Sequence, residues 1–175
     1  MKRIAATALS LTIAFSAFLV STPAMATSAA KVSATIRTFK KKDPGMKSFF
    51  NKSYAYAVFP TVGKGGIGIG GAYGTGLVYR GGRYVGSAKL TQVSIGFQLG
   101  GQAYSEVIFF QNQRVFRRFT NGDLKFGAQV SAVAVNKGAA ANTAFNNGIA
   151  VFTATKGGLM YEATVAGQSF KYTRR

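Results

Sequence analysis

The sequence of 175 residues contains no cysteine and no histidine, and only 4 of its residues are aspartate or glutamate. Without cysteine the chain has no disulfides and no lipidated amino-terminal thiol, so any membrane contact must be made by the folded surface. Without histidine or cysteine the usual ligands of zinc, copper and haem are missing. Asp43, Glu106, Asp123 and Glu162 alone could serve an oxygen-ligated metal, and no two share a motif. We therefore expect no metal and no cofactor. The same scarcity argues against catalysis, because a general base would have to be an isolated carboxylate, a lysine or a tyrosine. Glu106, just ahead of the apolar run Val107 to Phe110, is expected to pair with a lysine or arginine.

Few acids leave 22 lysines and arginines nearly unopposed, for a net charge of +18. Such an excess attracts phosphate-bearing polymers, lipid headgroups or acidic proteins, and it says little about fold. The chain opens with Met1-Lys2-Arg3, an apolar run from Ile4 to Val20, Pro23 and then Ala24-Met25-Ala26. A positive start, an apolar middle and a small-residue site are the layout of a secretory signal peptide, expected to be cleaved after Ala26. Thr7, Ser10, Thr12 and Ser16 interrupt the run, which is also short for a retained membrane span. The expected organisation is a signal peptide at 1–26, a helical arm at 27–53 and a glycine-rich β region at 54–175, arm and β region forming one domain. The expected location is periplasmic or secreted, with peripheral membrane association.

Val32, Ile36 and Phe39 recur at the spacing of one helical face, with Lys31, Arg37, Lys40, Lys41 and Lys42 on much of the remainder. Asp43-Pro44 then begins a second short helix carrying Met46, Phe49 and Phe50. Beyond Tyr54 the period becomes two. A strand is expected from Tyr54 to Phe59, stopping at Pro60. Gly66-Ile67-Gly68-Ile69-Gly70 reads as a strand with one bare face, open to close approach. Leu77 to Tyr79, Gly81-Gly82 and Tyr84-Val85 read as a hairpin. Val93 to Leu99 alternates, Val107 to Phe110 is apolar on both faces, and Asn112 to Phe119 fits a short helix grouping Arg114, Arg117 and Arg118. Further strands are expected at Leu124 to Val135, Ile149 to Thr155, Leu159 to Val165 and Ser169 to Tyr172. The expected fold class is α+β, with amphipathic amino-terminal helices packed on a curled or closed, barrel-like antiparallel sheet of about seven to eight strands. Gly66, Gly68 and Gly71 match G-x-G-x-x-G, but no helical pattern follows and Glu106 is too distant to hold a ribose, so a dinucleotide site is not expected.

Four blocks, in order, resemble the SYLF family: Ala57-Val58-Phe59-Pro60 with the glycine-rich stretch Gly65 to Gly76, Ser94 to Gln102, Phe126 to Ser131, and Lys156-Gly157-Gly158-Leu159. The resemblance covers nearly all of the chain after the leader. It implies binding of phosphoinositides or other anionic lipids, aided by a basic amphipathic amino-terminal helix. Eukaryotic members also contact actin, which an exported protein would not ordinarily meet. Between Gly86 and Leu90 relatives usually carry a tryptophan and a proline where this chain has Ser87-Ala88-Lys89, so headgroup preference does not transfer.

The expected function is non-catalytic docking on anionic phospholipids. The candidate lipid-binding residues are Lys31, Arg37, Lys40, Lys41, Lys42, Lys47, Lys52, Lys64, Arg114, Arg117 and Arg118. A basic residue near an anionic bilayer contributes about 1 kcal/mol, so five alone give only about submillimolar to millimolar affinity. Val32, Ile36 and Phe39 could each add about 1.5 to 3 kcal/mol by inserting into lipid. The same three side chains equally fit a role covering the sheet in the resting state, and a switch between the two uses is open. One alternative is nucleic-acid or other polyanion binding, which Arg83-Tyr84 and Phe116-Arg117 mildly favour and export disfavours as a native role. A second alternative, an outer-membrane β-barrel, lacks long uninterrupted alternating segments.

Overall fold

The change from a 3.6-residue to a two-residue period at Tyr54 is where the architecture changes. A computed structural model of the protein describes residues 27–67, 69–95, 101–127, 130–156 and 165–175. Helices α1 (Ala29–Lys42) and α2 (Met46–Lys52) precede strands β1 (Ala55–Ile67), β2 (Ile69–Arg80), β3 (Arg83–Ile95) and β4 (Gln102–Phe110). Helix α3 (Gln113–Thr120) and strands β5 (Ala132–Ala134), β6 (Ile149–Thr155) and β7 (Gln168–Arg174) follow. The leader, part of the Val93 to Leu99 strand and all but the last residue of the strand expected at Leu159 to Val165 lie outside the described residues.

The seven strands form one sheet in the order β5-β6-β4-β1-β2-β3-β7, antiparallel except for β5 beside β6. The expectation of a wholly antiparallel sheet is corrected there: β5 is three residues long and runs parallel to its neighbour. Two further expectations are corrected. Pro60 does not end its strand. β1 continues to Ile67, and its pairing slips between Val58 and Thr61 on one side and between Phe59 and Val62 on the other. A bulge accommodates a residue that lacks a ladder donor, and the Pro60 carbonyl accepts the buried Ser105 hydroxyl at 2.8 Å. Gly66 to Gly70 is not a single strand either. Gly66 pairs with Gly70 and Ile67 with Ile69, so the alternating glycines are the two arms of a hairpin end.

Period-two alternation gives the sheet two buried faces. On β1 and β4, Ala55, Ala57, Phe59, Ile108 and Phe110 face a core with Phe116 and Phe119 of α3. Tyr56, Val58, Val107 and Phe109 face the opposite core, with Val32 and Phe39 of α1 and Met46 and Phe50 of α2. The sheet curls strongly around the α3 face. In a flat sheet β4 and β7, four strand intervals apart, would be about 19 Å from one another. Yet Gln168 of β7 donates to Glu106 of β4 at 3.0 Å, and Phe170 lies 6.2 Å from Phe59. Between α3 and β5, Phe126 N–H bonds to the Gln168 carbonyl of the outer strand β7 at 2.9 Å, and just past β5, Val135 N–H bonds to the Thr153 carbonyl of β6 at 2.8 Å. Curling is thus present, whereas a closed barrel is not formed by strand pairing among the described residues. No helix among the described residues is long and apolar enough to cross a membrane.

Candidate anion-binding surfaces

Helix α1 separates its two faces as its spacing predicts. Ser28 caps it, accepting from Lys31 N–H at 3.3 Å. Val32 and Phe39 are fully buried against the sheet, and Ile36 is half-buried beside them. The three candidate inserting residues therefore occupy the packed position here, and lipid insertion would require α1 to lift away. Lys31, Arg37, Lys41 and Lys42 remain exposed, as do Lys47 and Lys52 of α2. Lys40 is partly covered, its ammonium 5.0 Å from the Phe50 ring. Three lysines in the last turn suit the negative end of the helix dipole. The acid beside them is turned inward. The buried Asp43 carboxylate accepts Ala140 N–H at 2.7 Å and Gly45 N–H at 3.0 Å, and these bonds, led by the one from Ala140, hold its pKa below the usual value.

Lys64 lies outside α1 and α2, on the glycine-rich half of β1, and burial lowers its pKa. The cations of α3 are divided as well. Amphipathic spacing buries Val115, Phe116 and Phe119 and leaves Arg114, Arg117 and Arg118 exposed, as expected. Asn112 caps the helix by accepting from Val115 N–H at 3.1 Å. Arg114 and Arg118, however, border a cleft of about 500 Å³ with Leu124, Lys125 and Asn147, while Arg117 faces a different cavity.

That second cavity, about 550 Å³, brings together residues far apart in sequence: Arg80 of β2, Arg117 of α3, and Arg174 and Arg175 at the end of β7. Tyr54, Phe116 and Tyr172 complete its walls. A neighbouring cleft of about 640 Å³ shares Tyr54 and Arg80 and adds Arg83. Sequence reasoning did not single out Arg80, Arg174 and Arg175 as binding residues. The signal available was Arg80-Gly81-Gly82-Arg83, a tight turn that must place two arginines opposite each other. The lining of the cavity includes no aspartate or glutamate among the described residues. Asp123 is the one exposed acid among the described side chains.

Glu106 corrects another expectation. No cation pairs with it among the described residues. Its Oε2 accepts from Gln168 Nε2, while its Oε1 has no partner among them. Full burial raises its pKa to about 8, partly opposed by the Gln168 bond. Burial, with Glu106 nearby, also raises that of Tyr104. This cluster lies inside the core, remote in character from a solvent-open site.

Residues 91–174 match the family model Ysc84, described as "Las17-binding protein actin regulator". Over those residues the chain is similar to the Ysc84, or SYLF, family. That family is associated with lipid binding and actin regulation. The chain is also 27% identical over 140 residues to "Beta cell expansion factor A" of Aeromonas veronii, a match covering 78% of this chain and 52% of that protein. The chain thus spans about half the length of that SYLF relative.

Proposed function

We propose that this chain is a non-catalytic, exported protein that docks peripherally on membranes containing anionic, phosphate-bearing lipids. The observation that carries the reading is the separation of charge: exposed lysines and arginines crowd α1, α2, α3 and the β2–β3 turn, while Asp43 and Glu106 are buried. An ordinary solvated surface mixes both signs. A surface of one sign gathers counter-charge, and a bilayer presents it as a continuous sheet. The amino-terminal Met1 to Ala26 pattern supports export, and export favours lipid over actin or nucleic acid as the partner.

Co-sedimentation with vesicles tests the proposal. The chain is expected to pellet with phosphatidylglycerol-containing vesicles and to stay in solution with phosphatidylcholine alone. Equal pelleting with both, or tight DNA binding with no vesicle preference, would overturn it.

A further inference from the structure

The cavity between the β2–β3 turn, α3 and the end of β7 is built differently from the lysine-rich arm. Its cations are all arginines, Arg80, Arg117, Arg174 and Arg175, with Arg83 in the adjoining cleft. The fold brings them together from three separate parts of the chain, although like charges repel and no aspartate or glutamate lines the space among the described residues. Their supports are fixed. Gly81 and Gly82 have φ of 55° and 75°, which makes the tight turn that puts Arg80 opposite Arg83. The Tyr172 hydroxyl donates to the Val85 carbonyl at 2.7 Å, and Arg175 N–H reaches the same carbonyl at 3.1 Å. The Arg175 guanidinium lies 5.8 Å from the Tyr84 ring centre. Burial raises the pKa of Tyr172, and the charges of Arg174 and Arg80 oppose that shift, so both cations act at this wall of the cavity.

We infer that this cavity is a binding site for a phosphomonoester group. A guanidinium presents paired N–H donors that match phosphate oxygens two at a time, which an ammonium does not. Several forks converging on one space suit a compact dianion with three free oxygens. A phosphodiester, with one charge and two free oxygens, engages fewer of them. Tyr54, Phe116 and Tyr172 give the cavity aromatic walls for whatever carries the phosphate. The phosphate could belong to a lipid headgroup or to a soluble molecule. The inference rests on the lipid-docking reading only for the first of these sources.

Calorimetric titration of the full chain with glycerol 3-phosphate, run beside vesicle binding, tests the inference. Saturable binding is expected. It should weaken about tenfold or more in Arg117→Gln and in Arg80→Gln, the size of a lost charged hydrogen bond. It should not change in Lys137→Gln, an exposed cation outside the cavity. On vesicles of equal surface charge, phosphatidic acid should be preferred to phosphatidylglycerol, and the preference should disappear in Arg117→Gln. Soluble binding without vesicle binding would support the cavity and refute lipid docking. Vesicle binding with no monoester preference and no glycerol 3-phosphate binding would refute the cavity and leave docking in place. Unchanged titration in both arginine variants, with unaltered melting, would also refute it.

Discussion

Glu106 shows how a residue's environment determines its protonation. Carried into the core between Tyr104 and Gln168, it keeps a proton that the unfolded chain releases near its usual value of 4.5, and gives it up only at about pH 8. The native state therefore binds more protons than the unfolded state across that window. Stability is expected to fall as pH rises from about 4.5 to 8, by up to about 1.4 kcal/mol per pH unit, and then to level off. Glu106→Gln should flatten the slope and exceed the parent in stability at pH 8, as read from denaturant melts at several pH values. A parent slope of zero would contradict this account. Asp43 is the opposite case. Its carboxylate is stabilised by backbone donors, so its contribution is present at neutral pH and lost on acidification through its lowered pKa. The sequence showed that acids are scarce but not which way they point. The cation expected beside Glu106 is replaced by Gln168, 62 residues away, a partner that only the curl of the sheet supplies.

At the scale of elements, helices with a clear apolar stripe were legible: α1, α2 and α3 lie close to where Val32, Ile36 and Phe39, the Asp43-Pro44 start and the Asn112 cap place them. The central strand β4 and the Gly81-Gly82 hairpin were legible for similar reasons. The β1–β2 turn was not, because glycine alternating with isoleucine has the same period within a strand and along the two arms of a hairpin. Pro60 misled because a bulge lets a strand continue past it. Close contacts between strands give a test. A Cβ on Gly76 would sit 2.5 Å from the Val58 carbonyl and 2.7 Å from the Phe59 ring. Gly76→Ala is therefore expected to destabilise the fold by about 1 to 3 kcal/mol, measured by chemical denaturation. For α1 the two faces should respond separately. Phe39→Ala should cost about 3 to 5 kcal/mol of stability, since the ring is fully buried. Replacing Lys31, Arg37, Lys41 and Lys42 with glutamine should leave melting nearly unchanged and reduce vesicle binding. Loss of stability in the second set would mean that those charges hold the fold.

For the whole molecule, the fold sorts charge by depth and by type. Buried acids, an outward lysine arm and an arginine-walled cavity follow from one sheet whose faces are covered by α1 and α2 on one side and α3 on the other. The basic character of the chain was plain in its composition, and Arg114, Arg117 and Arg118 could be grouped by helical spacing. That Arg80, Arg174 and Arg175 join Arg117 could not be read, because their proximity depends on the β2–β3 turn and on β7 closing over α3. The most direct test is the partition coefficient of the full chain onto phosphatidylglycerol vesicles as sodium chloride is raised. Binding through exposed cations should weaken steeply once the screening length falls below about 10 Å, near 0.1 M salt. Affinity that stays constant across the salt range would contradict the account.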